Sequence, residues 1–174
     1  TFVRALTASS EGYLVSGSDD KTIKLWDTQG ERVRTLEGHG RYVHALTVWK
    51  GHIVSTGNDR AIKVWDEQGT CVRSLLGGRR GVHALTVWRD NLVSGSTDGS
   101  IKLWGEQSDT CTGVLKGHTH GVFALTVWES HLVSGSMNGT IKLWDAEGMC
   151  LRTIEARGLG SVLALAVWEG YLVS

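Results

Sequence analysis

Proline is absent from this 174-residue sequence, and cysteine, methionine, phenylalanine and tyrosine each occur three times or fewer. Without proline, the turns depend on the 23 glycines and on Asp, Asn and Ser. Net charge is also lacking, because 18 basic residues balance 18 acidic ones, so neither nucleic acid nor a membrane is an expected partner. No apolar run approaches the roughly 20 residues of a membrane-spanning helix, and no signal peptide is visible. The length suffices for one domain with a buried core.

The three cysteines occupy one position of a repeated pattern. Cys71, Cys111 and Cys150 each follow a tryptophan by six or seven residues, which predicts a half-buried strand position seen three times. Metal sites need close pairs such as Cys-x-x-Cys, and the sequence has none, so we expect neither a metal nor a cofactor. Free thiols indicate a reducing compartment and hence an intracellular protein, cytoplasmic or nuclear.

Tryptophan, in contrast, is abundant and periodic. One series recurs at intervals of 39, 39 and 40 residues and a second at 39, 40 and 40 residues, and together they account for all eight tryptophans. The first series is Trp26, Trp65, Trp104 and Trp144, and the second is Trp49, Trp88, Trp128 and Trp168. This period near 40 residues predicts a chain built of structural repeats.

Each period contains four short apolar runs, named a to d here, which predict strands. In the second period they are residues 43–49, 53–55, 61–65 and 71–75. No segment shows a sustained helical period, so the predicted fold class is all-β. A four-stranded antiparallel sheet cannot bury both faces alone, whereas copies stacked around an axis cover them.

The pattern therefore predicts a β-propeller of four-stranded antiparallel blades, with about four and a half blades in this chain. The predicted blades are residues 1–36, 40–75, 79–115, 119–154 and, in part, 158–174. Between runs b and c lies a polar turn that suits positive φ, and glycine there is helpful but not obligatory. The turn residues are Asp20-Lys21, Asp59-Arg60, Asp98-Gly99 and Asn138-Gly139.

One period resembles a repeat of the WD40 (WD-repeat β-propeller) family. It contains Gly38-His39, Ser55, Asp59 and Trp65-Asp66, and a later period repeats Gly117-His118 with Trp144-Asp145. The resemblance covers the whole chain. It implies a non-catalytic protein–protein interaction scaffold and a larger propeller, usually of seven blades, of which this chain is a piece.

In this family a His before strand a, a Ser on strand b, an Asp in the b–c turn and a Trp on strand c form a hydrogen-bonded network. The resemblance carries these roles to His39, Ser55, Asp59 and Trp65. The incomplete sets are Ser16, Asp20 and Trp26; Ser94, Asp98 and Trp104, with Gly78 for the His; and His118, Ser134 and Trp144, with Asn138 for the Asp. Arg157 falls near the His position of the fifth period. We expect the incomplete repeats to be less well tied together.

The resemblance also implies that a partner binds at the rim formed by the d–a and b–c loops. The candidates flank the first Val of strand a or precede the turn Asp, and they differ between repeats. They are Phe2, Arg4, Asp19, Tyr42, His44, Asn58, His83, Thr97, Phe123, Met137 and Leu163, with Gly81, Gly121 and Ser161 at equivalent positions. Arg79 and Arg80, in the third d–a loop, are added for their charge. Aromatic and Arg residues among them are the expected anchors.

Charge sharpens this prediction. The a–b and c–d loops of the opposite rim hold most of the 18 acidic residues, with only Lys50 and Arg89 as bases. Around the predicted binding rim lie Arg4, Arg41, Arg79, Arg80, Lys116 and Arg157, with His44, His83 and His120. A basic rim favours a protein or peptide partner that is acidic or phosphorylated.

Two other classes of function stay open. The near-identical copies suit an architectural or engineered repeat that self-associates to complete a ring. An enzyme with a site in the central channel is less favoured, because no Gly-rich phosphate loop, close metal cluster or singular nucleophile with its own base occurs. The His–Ser–Asp sets recur from repeat to repeat, which disfavours a catalytic role for them.

Overall fold

A computed structural model describes residues 2–156 and 160–174, and it contains eighteen β-strands. None of the described residues is helical, which confirms the all-β prediction. No described segment is therefore a helix with the length and apolar character that crossing a membrane requires. The chain divides into two compact units, Thr1–Leu85 and Thr86–Ser174.

The first unit contains two four-stranded antiparallel sheets and the start of a third. The strands of the first sheet follow chain order and are β1 (Val3–Ala8), β2 (Leu14–Ser18), β3 (Ile23–Trp26) and β4 (Arg32–Leu36). Those of the second are β5 (Val43–Trp49), β6 (His52–Gly57), β7 (Ala61–Trp65) and β8 (Cys71–Leu76). The strand β9 (Val82–Trp88) begins in this unit and ends in the next.

The second unit continues the pattern. The sheet that includes β9 is completed by β10 (Asn91–Ser96), β11 (Ile101–Trp104) and β12 (Gly113–Leu115). The next sheet consists of β13 (Val122–Trp128), β14 (His131–Ser136), β15 (Thr140–Trp144) and β16 (Cys150–Glu155). A two-stranded sheet of β17 (Ala166–Trp168) and β18 (Tyr171–Val173) ends the described chain.

Within each unit, strand a of one sheet packs on strand b of the sheet before it. A Cβ added to Gly17 would lie 2.6 Å from Cγ1 of Val43, and one added to Gly95 would lie 2.7 Å from Cγ1 of Val122. Glycine on strand b therefore leaves the space that the next valine fills. This packing of successive four-stranded sheets is consistent with partial β-propeller blades.

The core of the first unit gathers branched side chains around one indole. It consists of Val15, Ile23, Leu25, Leu36, Val43, Leu46, Ile53 and Trp65. In the second unit one such cluster consists of Trp88, Val93, Ile101, Leu115, Val122, Leu132 and Trp144. Trp65, Trp104 and Trp144 of the first tryptophan series are at most 2% exposed, so these three indoles lie at the centre of the packing.

The turns between strands b and c have the predicted backbone. The residue after the turn Asx has φ of 72° at Lys21, 69° at Arg60, 83° at Gly99 and 79° at Gly139. Each of these residues donates its N–H to the carbonyl three residues earlier, which closes the turn. Glycine is therefore not obligatory in this turn, because Lys21 and Arg60 adopt the same backbone.

Two expectations need correction. Cys71 and Cys150 begin β8 and β16 and are exposed rather than half-buried, because strand d lies at the edge of its sheet. Cys111 is partly buried but precedes β12 instead of lying within it. In the fifth repeat, Leu163 is not in a strand, since strand a is reduced to β17, and Val162 donates its N–H to the carbonyl of Ser136 in the preceding turn.

Candidate functional site

The start of strand a is distorted in three sheets, at the positions predicted to face a partner. Register shifts lie where Arg4, His44 and Phe123 sit in β1, β5 and β13. A β-bulge bends its strand and turns a side chain in a new direction. The bulges thus distinguish these residues from the regular core positions beside them.

Backbone hydrogen bonds join the start of strand a to the b–c turn of the same sheet. Asp19 N donates to Phe2 O at 3.0 Å, Asn58 N to Tyr42 O at 3.1 Å, and Met137 N to Gly121 O at 2.9 Å. Candidates that are far apart in sequence are therefore neighbours in the fold. Among them Phe2, Tyr42, Met137 and Leu163 are at least 43% exposed, as a binding anchor must be.

In the first unit, five candidates from three sheets form one group, which we call the rim cluster: Arg4, Asp19, Tyr42, His44 and His83. The Arg4 guanidinium pairs with the Asp19 carboxylate through Nε and Oδ1 and through Nη2 and Oδ2, the latter at 2.9 Å. The same guanidinium lies 5.5 Å from the centre of the Tyr42 ring, within the range of a cation–π contact.

The three aromatic rings of the rim cluster contact one another in a row. The rings of Tyr42 and His44 meet edge to face with centroids 6.5 Å apart, and the rings of His44 and His83 stack with centroids 4.0 Å apart and 25° between their planes. The Nε2 atom of His44 is buried and has no hydrogen-bond partner among the described residues. This arrangement holds a polar ring atom out of water beside the exposed Tyr42.

Burial and the charge of Arg4 oppose protonation of the imidazoles of the rim cluster. Burial lowers the pKa of His44, and the nearby Arg4 lowers it further, although Asp19 and Asp59 act in the other direction. Burial, with His44 and Arg4 as neighbours, lowers the pKa of His83 to about 4. Both rings are therefore neutral at pH 7, and the pairing of Arg4 with Asp19 leaves the cluster with little net charge.

The candidates of the second unit gather around Gly121. A Cβ added there would lie 2.9 Å from Cε2 of Phe123 and 3.0 Å from Cα of Thr97, so these two residues pack on either side of it. Ser161 Oγ donates to the carbonyl of Met137 at 2.8 Å. Arg79 and Arg80 are exposed in the loop between β8 and β9, while Arg157 lies outside the described residues.

The four side chains of the complete network are hydrogen-bonded in sequence. Trp65 Nε1 donates to Ser55 Oγ at 2.8 Å, and Ser55 Oγ is 2.7 Å from His39 Nε2. His39 Nδ1 is 2.8 Å from Asp59 Oδ2, which also accepts from Gly40 N at 2.9 Å. Because a carboxylate can only accept, the proton lies on Nδ1, and Ser55 donates to Nε2.

The ionisation of this network suits a structural role. Burial lowers the pKa of His39, which keeps the imidazole neutral despite the neighbouring carboxylate. Burial alone would raise the pKa of Asp59, but the hydrogen bonds from His39, Gly40 and Ala61 hold it below its usual value. The network therefore combines a neutral ring with a charged acceptor and ties the chain before strand a to strands b and c.

The incomplete networks keep the Ser–Trp bond and lose other parts. Trp26 donates to Ser16 at 2.8 Å, Trp104 to Ser94 at 2.9 Å and Trp144 to Ser134 at 2.8 Å. In the fourth repeat His118 Nε2 is 2.7 Å from Ser134 Oγ, but its Nδ1 faces Thr140 Oγ1 at a longer 3.3 Å. Burial, with Lys142 nearby, lowers the pKa of His118 to about 4.

The acidic residues of the b–c turns in the first unit are engaged within the chain. Asp19 pairs with Arg4 and Asp59 with His39, while Asp20 Oδ2 accepts from Lys24 Nζ at 2.6 Å. Although burial alone would raise the pKa of Asp20, the hydrogen bonds from Lys24 and Thr22 keep it low. These carboxylates are thus committed to the fold.

Hydrogen bonds of the second tryptophan series were not anticipated from the sequence. Trp88 Nε1 donates to Ser130 O at 2.9 Å, and Trp128 Nε1 donates to Gly170 O at 2.8 Å. Each joins the end of one strand a to the a–b turn of the next repeat. The regular spacing of these tryptophans could have indicated the hydrogen bonds, because residues at the same position of each repeat are expected to have the same role.

In the c–d loops of the opposite rim, aspartate side chains accept hydrogen bonds from the backbone of the turn. Asp27 Oδ1 accepts from Gln29 N and Glu31 N, Asp66 Oδ1 from Thr70 N, and Asp145 Oδ1 from Met149 N. Local bonds of this kind stabilise tight turns. Among the described residues, no group of three or more His, Cys, Asp or Glu side chains is placed to hold a metal ion.

Comparison with known proteins agrees with this geometry. The family described as "WD domain, G-beta repeat" matches residues 1–27, 30–66, 69–105 and 109–145. A Nuclear distribution protein PAC1 of Tuber melanosporum (strain Mel28) is 52% identical over 40 residues, and one of Coprinopsis cinerea is 57% identical over 35. Nuclear distribution protein nudF of Aspergillus terreus is 44% identical over 41 residues.

These matches are confined to single repeats. They cover 23%, 20% and 24% of this chain, in that order, and 9%, 8% and 9% of the three relatives. The chain thus spans less than a tenth of the length of the curated relatives that it matches. The likeness extends to the repeat and not to the whole of those proteins.

Proposed function

Since this chain belongs to the WD40-repeat family, we propose that it is a non-catalytic interaction scaffold that binds an acidic or phosphorylated protein segment at the d–a and b–c loops. The observation that carries the proposal of an acidic or phosphorylated partner is the state of the acids in the b–c turns of the first unit. Asp19, Asp20 and Asp59 are bonded to Arg4, Lys24 and His39 and so offer little charge to a partner.

Several bases are exposed on the same loops. Lys21, Arg41, Arg60, Arg79 and Arg80 are all exposed, and each lies in a d–a or b–c loop of the first unit. Guanidinium groups bind carboxylates and phosphates through paired hydrogen bonds, which makes Arg the preferred residue for such recognition. Exposed Tyr42 and Phe2 would supply apolar anchors beside this charge.

Charge reversal tests the proposal. We expect Arg79→Glu with Arg80→Glu to weaken the binding of a fluorescently labelled acetyl-hexaglutamate peptide roughly 5- to 30-fold, because two exposed charge contacts are worth about 1 to 2 kcal/mol together. Fluorescence anisotropy at low salt gives the affinity. A phosphoserine peptide of otherwise neutral sequence serves as a second probe.

The control reverses the same number of charges on the opposite loops. Lys50 and Arg89 have φ of 53° and 49°, and Glu129 and Glu169 occupy the equivalent positions with φ of 55° and 48°. Glutamate is thus native to this backbone position, so Lys50→Glu with Arg89→Glu should leave peptide binding little changed. Equal losses in both double variants would indicate a nonspecific charge effect and overturn the proposed site.

Self-association is a second candidate function, favoured by one apolar face. Val3, Leu6 and Leu14 of the first sheet are 59%, 61% and 48% exposed, whereas the equivalent Val43, Leu46 and Ile53 are at most 9% exposed. Another copy of a repeat could cover this face as the first sheet covers the equivalent face of the second. Light scattering over a range of concentrations tests this, and Leu6→Lys should shift any oligomer towards monomer.

The free thiols bear on the compartment. Cys71 and Cys150 are exposed and unpaired with another cysteine. Exposed thiols persist in a reducing environment, so we propose an intracellular location. Thiols of Cys71 and Cys150 that stay free in an oxidising buffer, as measured by mass spectrometry, would remove this argument.

A further inference from the structure

The stacked imidazoles of the rim cluster are arranged in an unusual way for surface histidines. His44 and His83 lie on neighbouring strands a, with ring centroids 4.0 Å apart. The Nε2 atom of His44 is buried without a hydrogen-bond partner in the described part of the chain. A buried polar atom without a partner is costly, so the protein gains when a ligand pairs with this atom.

The groups that face the pair come from four other segments. The cation is Arg4 of β1, the carboxylates are Asp19 and Asp59 of the b–c turns, and the phenol is Tyr42 before β5. Asp19 is bonded to Arg4 and Asp59 to His39, so both carboxylates are already committed to other groups. In the free protein these acids favour a charged His44, but burial and Arg4 outweigh them, so a positive charge on either ring is not fully compensated.

An anionic group that docks beside the pair would supply that compensation. Carboxylate or phosphate oxygens close to an imidazole favour its charged form. Two rings stacked at 4.0 Å repel each other when both are charged, so only one of them can take up a proton readily. We propose that binding of an acidic partner segment at the rim cluster is coupled to the uptake of one proton by the His44–His83 pair.

This inference rests on the proposed function, because it requires that the segment be acidic. It predicts the direction in which the affinity for the peptide changes with pH and the upper limit of that change. By thermodynamic linkage, a proton that favours binding must be favoured by binding in return, so affinity rises as the pH falls. Uptake of one proton limits the slope to about tenfold per pH unit, and we expect a total gain of about three- to tenfold between pH 7.5 and 5.5.

The other charges of the site do not produce this dependence in the same pH range. The hydrogen bond with Asp19 raises the pKa of Arg4, and the hydrogen bond from Arg4 lowers the pKa of Asp19 despite its partial desolvation. Both groups therefore keep their charge between pH 5.5 and 7.5. Glutamate side chains of the peptide, with a pKa near 4.3, remain ionised there too.

The experiment is isothermal titration calorimetry of the whole chain with acetyl-hexaglutamate peptide. Titrations at pH 6 in two buffers of different ionisation enthalpy give the number of protons taken up, and a series from pH 7.5 to 5.5 gives the affinity. We expect an uptake of up to about one proton and the affinity gain stated above.

Variants locate the proton. The double variant His44→Phe with His83→Phe keeps two planar rings but cannot titrate, so proton uptake and the pH dependence should both disappear. His52→Phe is the control, because His52 lies at the a–b turn, where its Nδ1 is 3.0 Å from Lys50 O. This control should retain the proton uptake of the unchanged protein.

A measurement on the unchanged chain avoids reliance on the folding of the double variant. NMR titration of the imidazole C2 protons with and without peptide should show the pKa of His44 or His83 rising in the complex. Binding with no proton uptake and unchanged His44 and His83 titrations would overturn this inference while leaving the proposed function intact. Absence of binding at every pH would overturn both.

Discussion

Asp59→Asn is the substitution that most directly tests how the complete network holds its repeat together. Asp59 Oδ2 accepts from His39 Nδ1 at 2.8 Å and from Gly40 N at 2.9 Å. An amide nitrogen in place of that oxygen would face two donors. Hydrogen bonds to a charged group contribute about 1.5 to 3 kcal/mol each, and the remaining amide oxygen recovers part of the loss, so we expect a cost of about 2 kcal/mol.

The fourth repeat already contains this amide and so allows the reciprocal change. Asn138 Nδ2 is 3.5 Å from Thr119 Oγ1, and His118 Nδ1 is left with Thr140 Oγ1 at 3.3 Å. Asn138→Asp would place an acceptor where a donor now lies. We expect a gain of about 1 kcal/mol in stability and a rise in the pKa of His118 above its present value of about 4.

Both variants are measured by urea unfolding followed through tryptophan fluorescence, with an NMR titration of His118 for the second. Asp98→Asn is the matched control, because Gly78 replaces the His there and Asp98 Oδ1 accepts from Ser100 N at 3.0 Å. That oxygen survives in asparagine, so the loss should be about 1 kcal/mol smaller than for Asp59→Asn. Equal losses at Asp59 and Asp98, with no change at His118, would refute the reasoning.

Three further predictions concern the turns, the second tryptophan series and pH. Arg60→Gly should raise stability by up to about 1 kcal/mol in thermal unfolding, because Arg60 has a φ of 69° that disfavours side chains. Arg60→Ala should give no such gain, because alanine keeps a Cβ. Trp128→Phe keeps most of the ring but loses the 2.8 Å bond to Gly170 O, which should cost about 1 kcal/mol in urea, and an unchanged midpoint would contradict this. Burial lowers the pKa of His83 and of His118 to about 4. A histidine of the unfolded chain has a pKa near 6.5, so below that pH the unfolded chain binds more protons than the folded one. The free energy of unfolding should therefore fall as the pH is lowered from 6.5 towards 4. The expected loss is on the order of 1 kcal/mol per histidine after allowance for solvent screening. Urea midpoints that stay level between these pH values would show that the rings are not buried as described.

The architecture of the repeat could be predicted because it depends on spacing. Tryptophans at intervals of 39 and 40 residues, with four apolar runs between them, require four strands per period. The set His39, Ser55, Asp59 and Trp65 could be assigned by resemblance, since each residue has its own position within the period. The turn at Arg60 could be anticipated for the same reason, because its glycine counterparts are Gly99 and Gly139.

The candidate site was predictable only as a set of positions. Arg4 and Asp19 were both expected to meet a partner, yet they bond to each other. His44 and His83 were expected to add positive character, yet burial and stacking keep them neutral at pH 7. These outcomes change the charge that the loops present, and they could not be derived from the identity of the residues alone.

The sequence by itself determined the number of strands, their order and the core positions, because hydrophobic periodicity and turn chemistry are local properties that recur every 39 or 40 residues. The tertiary structure alone decided which side chains of neighbouring sheets meet, including the stack of His44 on His83 and the bond from Trp128 to Gly170 O. The physical reason is that such contacts depend on sheet twist, on the bulges of strand a and on the distance between packed sheets. None of these is a property of one repeat. Together they bring into contact some side chains that hold the same position in neighbouring repeats and others that hold different positions.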